Sequence, residues 1–158
     1  MREKILVPLD GSKVGETALP YVEDLIPKFL PEPKVEVTLI QVLSSLSHYV
    51  VAGEASARIP YTPEEIEQMK KLATKYLRKA AQPLKKKGAT TKIRVEVGNA
   101  AEMIIKVADE LNTDIIAMST HGRSGLSRWA FGSVADKVLR GANTPVLVVR
   151  APKNTESV

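Results

Sequence analysis

Residues 115–149 read IIAMSTHGRSGLSRWAFGSVADKVLRGANTPVLVV. Ile115-Ile116-Ala117-Met118 and Val146-Leu147-Val148-Val149 are short, continuous apolar runs, the pattern of parallel strands covered on both faces. Between them lies a loop rich in Gly and Ser. Ser133-Val134-Ala135-Asp136 then opens a short helix, and Gly141 ends it. Strand, helix and strand in that order form a βαβ unit, whose right-handed crossover lays its two strands parallel.

The same alternation extends upstream. Ile5-Leu6-Val7 is a third continuous apolar run. Val35 to Leu43 and Ile93 to Val97 alternate more, as strands nearer an edge do. After the first strand, Val14, Ala18, Val22, Leu25, Ile26 and Phe29 recur at helical spacing, with Pro20 and Pro27 expected to kink or shorten the helix. Thr62-Pro63-Glu64-Glu65 supplies an N-cap, a proline at the first helical position and a capping-box glutamate. The apolar stripe behind that cap is Ile66, Met69, Leu72, Tyr76, Leu77, Ala80 and Leu84. Lys85, Lys86 and Lys87 lie at the negative end of the helix dipole, with Gly88 in the left-handed position beyond, and they read as a solvated helix end. Asn99-Ala100-Ala101-Glu102 opens another helix, with Ile104, Ile105, Ala108 and Leu111 facing inward. The order βαβαβαβαβ predicts an α/β fold, a doubly wound parallel sheet with helices on both faces. Ser44 to Tyr61 reads as one long irregular stretch. Residues 1–150 are expected to form one domain, with 151–158 a polar, flexible tail.

Composition sets the limits within which this fold works. The chain has 158 residues, 44% of them apolar, which is enough for a sizeable core and excludes global disorder. Zero Cys removes disulfides, thiolate metal sites and cysteine nucleophiles, and it fits a cytoplasmic protein. MREKILVPLD is charged from the outset and is not expected to be a signal peptide. No window approaches the roughly 18 consecutive apolar residues of a membrane span. With 23 Lys+Arg against 18 Asp+Glu the net charge is +5, which permits an anionic partner without naming one.

Ligands of open parallel sheets bind beyond the carboxyl ends of the strands, where the strand order reverses. Three segments meet that description: Pro8-Leu9-Asp10-Gly11-Ser12, Gln41-Val42-Leu43, and Ser119 to Gly125 running on to Phe131-Gly132-Ser133. The third holds Arg123 and Arg128 and no carboxylate between Asp114 and Asp136. It ends on Gly132-Ser133 at a helix start, where unpaired N–H groups and about half a positive charge attract phosphate. Either this is a phosphate site, or Gly132-Ser133 merely caps a helix. Asp10 either accepts hydrogen bonds from a ribose or an amine, or approaches a metal, or caps the helix that follows through Gly11-Ser12. His121, with no second acid or base placed beside it, reads as a loop histidine bonded to its neighbours. His48 supports no metal cluster, and Trp129 either faces a partner or, as is commoner, covers the loop. G-x-x-x-x-G-K-[ST], G-x-G-x-x-G, G-x-S-x-G and H-E-x-x-H are all absent, so no catalytic constellation is assembled and binding is favoured over turnover.

These residues resemble the universal stress protein family over nearly the whole chain: KILVPLDGS at the start, AAEMIIKVADELNTDIIAMSTHGRSGLSRWAFGSVADKVLR later, and TPVLVVR at the end. The family's ATP-binding members carry G-x-x-G, nine residues, then G-[ST]. Here Gly122, Arg123 to Phe131 and Gly132-Ser133 match, while Ser119 stands where the first glycine is expected. The resemblance implies an open five-stranded sheet of order 3-2-1-4-5 and an ATP-binding stress-response regulator with little or no hydrolysis. It implies that Asp10 holds the adenosine part, with Pro8 and Leu9 beside it, and that the backbone of Val42 meets the adenine edge. Met118 and Ser119 would lie against the ribose and the start of the phosphate chain. Gly122 and Arg123 would border the phosphates, and Gly132, Ser133 and Val134 would donate to them. Mg²⁺ or Mn²⁺ would accompany the nucleotide. A homodimer through Val146 to Val149 is implied as well. An unidentified protein partner is expected, and no nucleic acid, since Lys85 to Lys87 read as a solvated helix end and a small nucleotide accounts for the arginines of the loop. The alternatives are a nucleotide-free dimeric interaction module and a slow ATPase.

Overall fold

The computed structural model describes residues 2–29, 34–120 and 132–152. Its main sheet is built from β1 (Arg2–Pro8), β2 (Lys34–Leu43), β5 (Thr90–Val97), β6 (Ile115–Thr120) and β7 (Val146–Arg150), all parallel, in the order β5-β2-β1-β6-β7. Counting only these five strands along the chain, that is the expected 3-2-1-4-5. Side-chain alternation sorts each strand between two cores. Ile5, Val7, Val35, Val37 and Leu39 face α1 (Leu19–Phe29), α2 (Pro63–Ala80) and α3 (Gln82–Lys86), whereas Leu6, Ile40, Ile116 and Met118 face α4 (Ala100–Leu111) and α5 (Ser133–Gly141).

The helix ends follow local chemistry. Thr62 Oγ1 accepts the Glu65 N–H at 3.2 Å while Glu65 Oε2 accepts the Thr62 N–H at 2.7 Å, a complete capping box. Asn99 Oδ1 accepts the Glu102 N–H at 3.1 Å at the head of α4. Pro27 lies inside α1, and a short 3-10 turn, Gly15–Ala18, precedes that helix. The α2 pattern does not run to Leu84 as one helix: α2 ends at Ala80, and α3, carrying Pro83, is a separate short helix.

Three expectations are corrected by the structure. Ser44 to Tyr61 is not irregular: β3 (Ser47–Ala52) and β4 (Ala55–Pro60) form an antiparallel hairpin, turning at Gly53, whose φ of 65° favours glycine. Tyr49 and Val51 remain about 70% exposed there, so the hairpin buries no apolar face and leaves no periodic trace in the sequence. At its base, the His48 and Tyr61 rings stack with centroids 4.8 Å apart. Second, Leu72 is outside the α2 core stripe, at 67% exposure; the stripe runs through Ala73 and Leu77, one residue on and about 100° around the helix. Third, β7 is an edge strand bonded only to β6, so its apolar run is half-buried rather than covered on both faces.

The other edge, β5, is guarded differently. Lys92, Arg94 and Glu96 alternate along it; Lys92 Nζ lies 2.9 Å from Glu36, which is only 3% exposed, and Arg94 Nε donates to Glu96 at 2.8 Å. The bond to Glu96, ahead of any other influence, raises the Arg94 guanidinium further above its ordinary value. Ala151, just past β7, is buried, and its N–H donates to the Thr120 carbonyl at 3.2 Å.

Two leucines on α2 give a direct check of this packing. Leu77→Ala is expected to cost about 2–5 kcal/mol in urea unfolding, whereas Leu72→Ala stays within about 0.5 kcal/mol of the parent.

Candidate functional site

β2 follows β1 on one side in the sheet and β6 flanks it on the other, so the connections leaving β1 and β6 diverge and open a cleft at their carboxyl ends. The cleft is lined by Pro8, Leu9 and Asp10 after β1, Val42 on β2, Met118 and Ser119 on β6, and Gly132, Ser133 and Val134 at the head of α5. Nine of the eleven residues singled out from the sequence therefore come together. The other two, Gly122 and Arg123, lie outside the described residues, as do His121, Arg128 and Trp129.

The Asp10 loop is held by its own side chains. Asp10 Oδ1 accepts the Ser12 N–H at 2.9 Å and the Ser12 hydroxyl at 2.6 Å, and Ser12 Oγ accepts the Gly15 N–H at 3.0 Å. A Cβ on Gly15 would stand 2.5 Å from Asp10 Oδ1, so any side chain there would have to displace the Asp10 carboxylate. The capping reading of Asp10 thus holds for one oxygen. Oδ2 receives no hydrogen bond among the described residues and is left to accept from a ligand.

Ser119 acts as a latch between β6 and the turn after β1. Its hydroxyl donates to the Gly15 carbonyl at 2.9 Å and accepts the N–H of the fully buried Ala18 at 2.8 Å. The proton that an added hydroxyl would offer a ligand is therefore spent on the fold. Nearby, the Tyr76 hydroxyl on α2 donates to Glu16 Oε1 at 3.0 Å. Burial above all, and then that carboxylate, hold the phenol well above the ordinary tyrosine range, so it remains a donor.

Across the cleft, α5 is preceded by Gly132 at its N-cap, which has no side chain, so among the described residues no capping side chain meets its leading N–H groups. Asp136 in the first turn would repel an anion, but Arg140 Nε donates to both its oxygens, at 3.0 and 3.1 Å. The site is thus a short positive helix end on one side and an acceptor carboxylate on the other. The walls between them are apolar, and half of those apolar residues were missed from sequence: Val14, Ile40, Ala100, Ile104 and Ala135 line the cleft, as does Gly15. Ala100 and Ile104 share one helix face at i, i+4 spacing immediately after the third main strand, a signal that could have found them. No cluster of three or more His, Cys, Asp or Glu suited to a metal is present among the described residues.

The fold and this cleft define a doubly wound α/β protein with its candidate site at the topological switch point. The chain belongs to the universal stress protein family, whose family model matches residues 1–150. It is 31% identical to the universal stress protein MJ0577 of Methanocaldococcus jannaschii, over 95% of this chain and 96% of that one, and 30% identical to MJ0531 of the same organism, over 96% and 84%. The solved structure of MJ0577 superposes with a TM-score of 0.69, at 28% identity over 95% of this chain and 96% of that one. Two more distant structures share the fold: a universal stress protein from Archaeoglobus fulgidus in complex with dAMP (22% identity, TM-score 0.61, 92% and 96% covered) and a family protein from Arabidopsis thaliana with AMP bound (14%, 0.64, 99% of each).

Removing the latch tests its role. Ser119→Ala leaves the buried Ala18 N–H unpaired and is expected to cost about 1–3 kcal/mol in urea unfolding. Ala18 amide exchange should accelerate more than exchange in β1 or β2. Ser119→Gly, which restores the family's glycine, should show the same loss.

Proposed function

We propose that this chain is an ATP-binding stress-response regulator that senses nucleotide with little or no hydrolysis. The observation that carries the reading is the pairing across one cleft of Asp10, with a free acceptor oxygen, and the uncapped head of α5 at Gly132 to Val134. Asp10 Oδ2 suits a ribose hydroxyl, which donates. The α5 N–H groups suit phosphate oxygens, which accept. The apolar walls, including Leu9, Ile40, Val42 and Met118, suit an adenine ring between them. The complexes of the distant family members with dAMP and AMP support an adenine nucleotide as the ligand class. Gly122 and Arg123 would then border the phosphates. Mg²⁺ or Mn²⁺ accompanying ATP would be held chiefly by phosphate oxygens, the usual arrangement for an ion that binds through substrate phosphates.

The protein acts in the cytoplasm in this reading, consistent with the absence of cysteine and with no helix among the described residues being long and apolar enough to cross a membrane. The free edge of β7, with Val146, Leu147 and Val148 half-buried, supports a homodimer through that strand. An unidentified protein partner would read the nucleotide state.

Calorimetry with ATP, together with mass spectrometry of ligand released by acid from the purified protein, tests the reading. Binding is expected, and Gly132→Val with Ser133→Ala should lower the affinity at least tenfold while thermal unfolding stays cooperative. If neither measurement detects a nucleotide, the proposal fails. Unchanged affinity in the double variant would show the phosphate site to be misplaced.

A further inference from the structure

The net charge of this protein is concentrated in one stretch of the chain. Residues 63–87, which make up α2, α3 and their immediate surroundings, hold eight Lys+Arg and three Asp+Glu, a net +5. The whole chain has 23 against 18, the same +5, so the other 133 residues balance at 15 against 15. The three acids are engaged at one end: Glu65 closes the capping box, Glu67 meets Lys70 at 3.4 Å, and Glu64 sits in the first turn, where the dipole favours it. Lys71, Lys75, Arg78, Lys79, Lys85, Lys86 and Lys87 are all exposed and make no ion pair among the described residues. Lys71, Lys75 and Lys79 recur every four residues, one row on the helix, with about 6 Å of rise between successive members. Lys85 and Lys86 in the last turn of α3, with Lys87 just beyond, add three exposed cations close in the chain to this row.

We infer that this face docks the phosphate backbone of a nucleic-acid duplex without reading its sequence. Three observations choose this occupant. Protein interfaces are depleted in lysine, and six of the seven free cations are lysines. Leu72 is the one exposed large apolar side chain on α2, too little for an amphipathic segment or a bilayer to bury. The helix's only aromatic, Tyr76, is half-buried and bonded to Glu16, so no ring is offered to stack the bases of a single strand. A duplex backbone requires none of these. It needs a row of flexible cations, and Lys71 to Lys79 supply one about 12 Å long on α2. The cleft lies on the α4 and α5 side of the sheet and α2 on the other, so the two ligands would not compete for space.

The test is fluorescence anisotropy of the full chain with labelled 20-base-pair duplexes of unrelated sequences, in salt from 50 to 200 mM. If five phosphates are neutralised, log affinity falls with log salt at a slope of about −4.5, roughly a 500-fold loss over that range. Lys71→Gln, Lys75→Gln and Lys79→Gln together should flatten the slope to about −1.8 and cut the loss to roughly 12-fold. A control with equal charge change, Lys28→Gln, Lys34→Gln and Lys106→Gln, should bind within about twofold of the parent. The inference is overturned by no binding at 50 mM salt, or by equal weakening in both triple variants. Tighter binding to phosphatidylserine vesicles or to poly-glutamate than to duplex at the same salt would overturn it too, giving the face to a membrane or to an acidic protein.

Discussion

Everything in this molecule is arranged around the burial of β1. Ile5, Leu6 and Val7 are at most 2% exposed, and the strand is hydrogen-bonded to β2 on one side and β6 on the other. A strand that must lose water on both faces and both edges has to sit in the middle of a parallel sheet with helices above and below. Placing the first strand in the middle forces the later strands to fill in on opposite sides. The reversal of order at β1 and β6 follows from this, and with it the cleft.

The cleft is kept in shape by short-range bonds that bring no apolar burial of their own. Asp10, Ser12 and Gly15 form a closed turn, and Ser119 ties that turn to β6. Each hydrogen bond is worth only about 1 kcal/mol net. Their importance is geometric: they fix the Asp10 carboxylate at the rim of the cleft through one oxygen, with the strand that leads to the Gly/Ser-rich loop held beside it. The serine that departs from the family's glycine pattern has thus become part of the scaffold.

The parts of the fold that were legible in sequence carry their signal in adjacent residues. Thr62-Pro63-Glu64-Glu65 and Asn99 to Glu102 name their caps because four residues complete the hydrogen bonding. The apolar strands announce two-sided burial by composition alone. What was misread depends on contacts that a short window cannot hold. Leu72 and Ala73 are one residue apart, and only the sheet beneath them decides which faces inward. The β3–β4 hairpin buries nothing, so its alternation means nothing to a periodicity argument. In the candidate site, Asp10 and Gly132-Ser133 are visible because their chemistry is unusual for their place. Ile40, Ala100 and Ile104 are ordinary core residues in any reading until α4 is laid across β2.

The two sheet edges differ in chemical character. β5 presents Lys92, Arg94 and Glu96 in alternation, with two of its cations already engaged by carboxylates, so another strand added there would disturb the ion pairs of Glu36 and Glu96. β7 presents half-buried valine and leucine, and its outer edge pairs with no strand among the described residues. Were a like sheet to join this one, the contrast between the borders would give it a valence of one: a closed pair would form, because growth into a fibre needs two receptive borders.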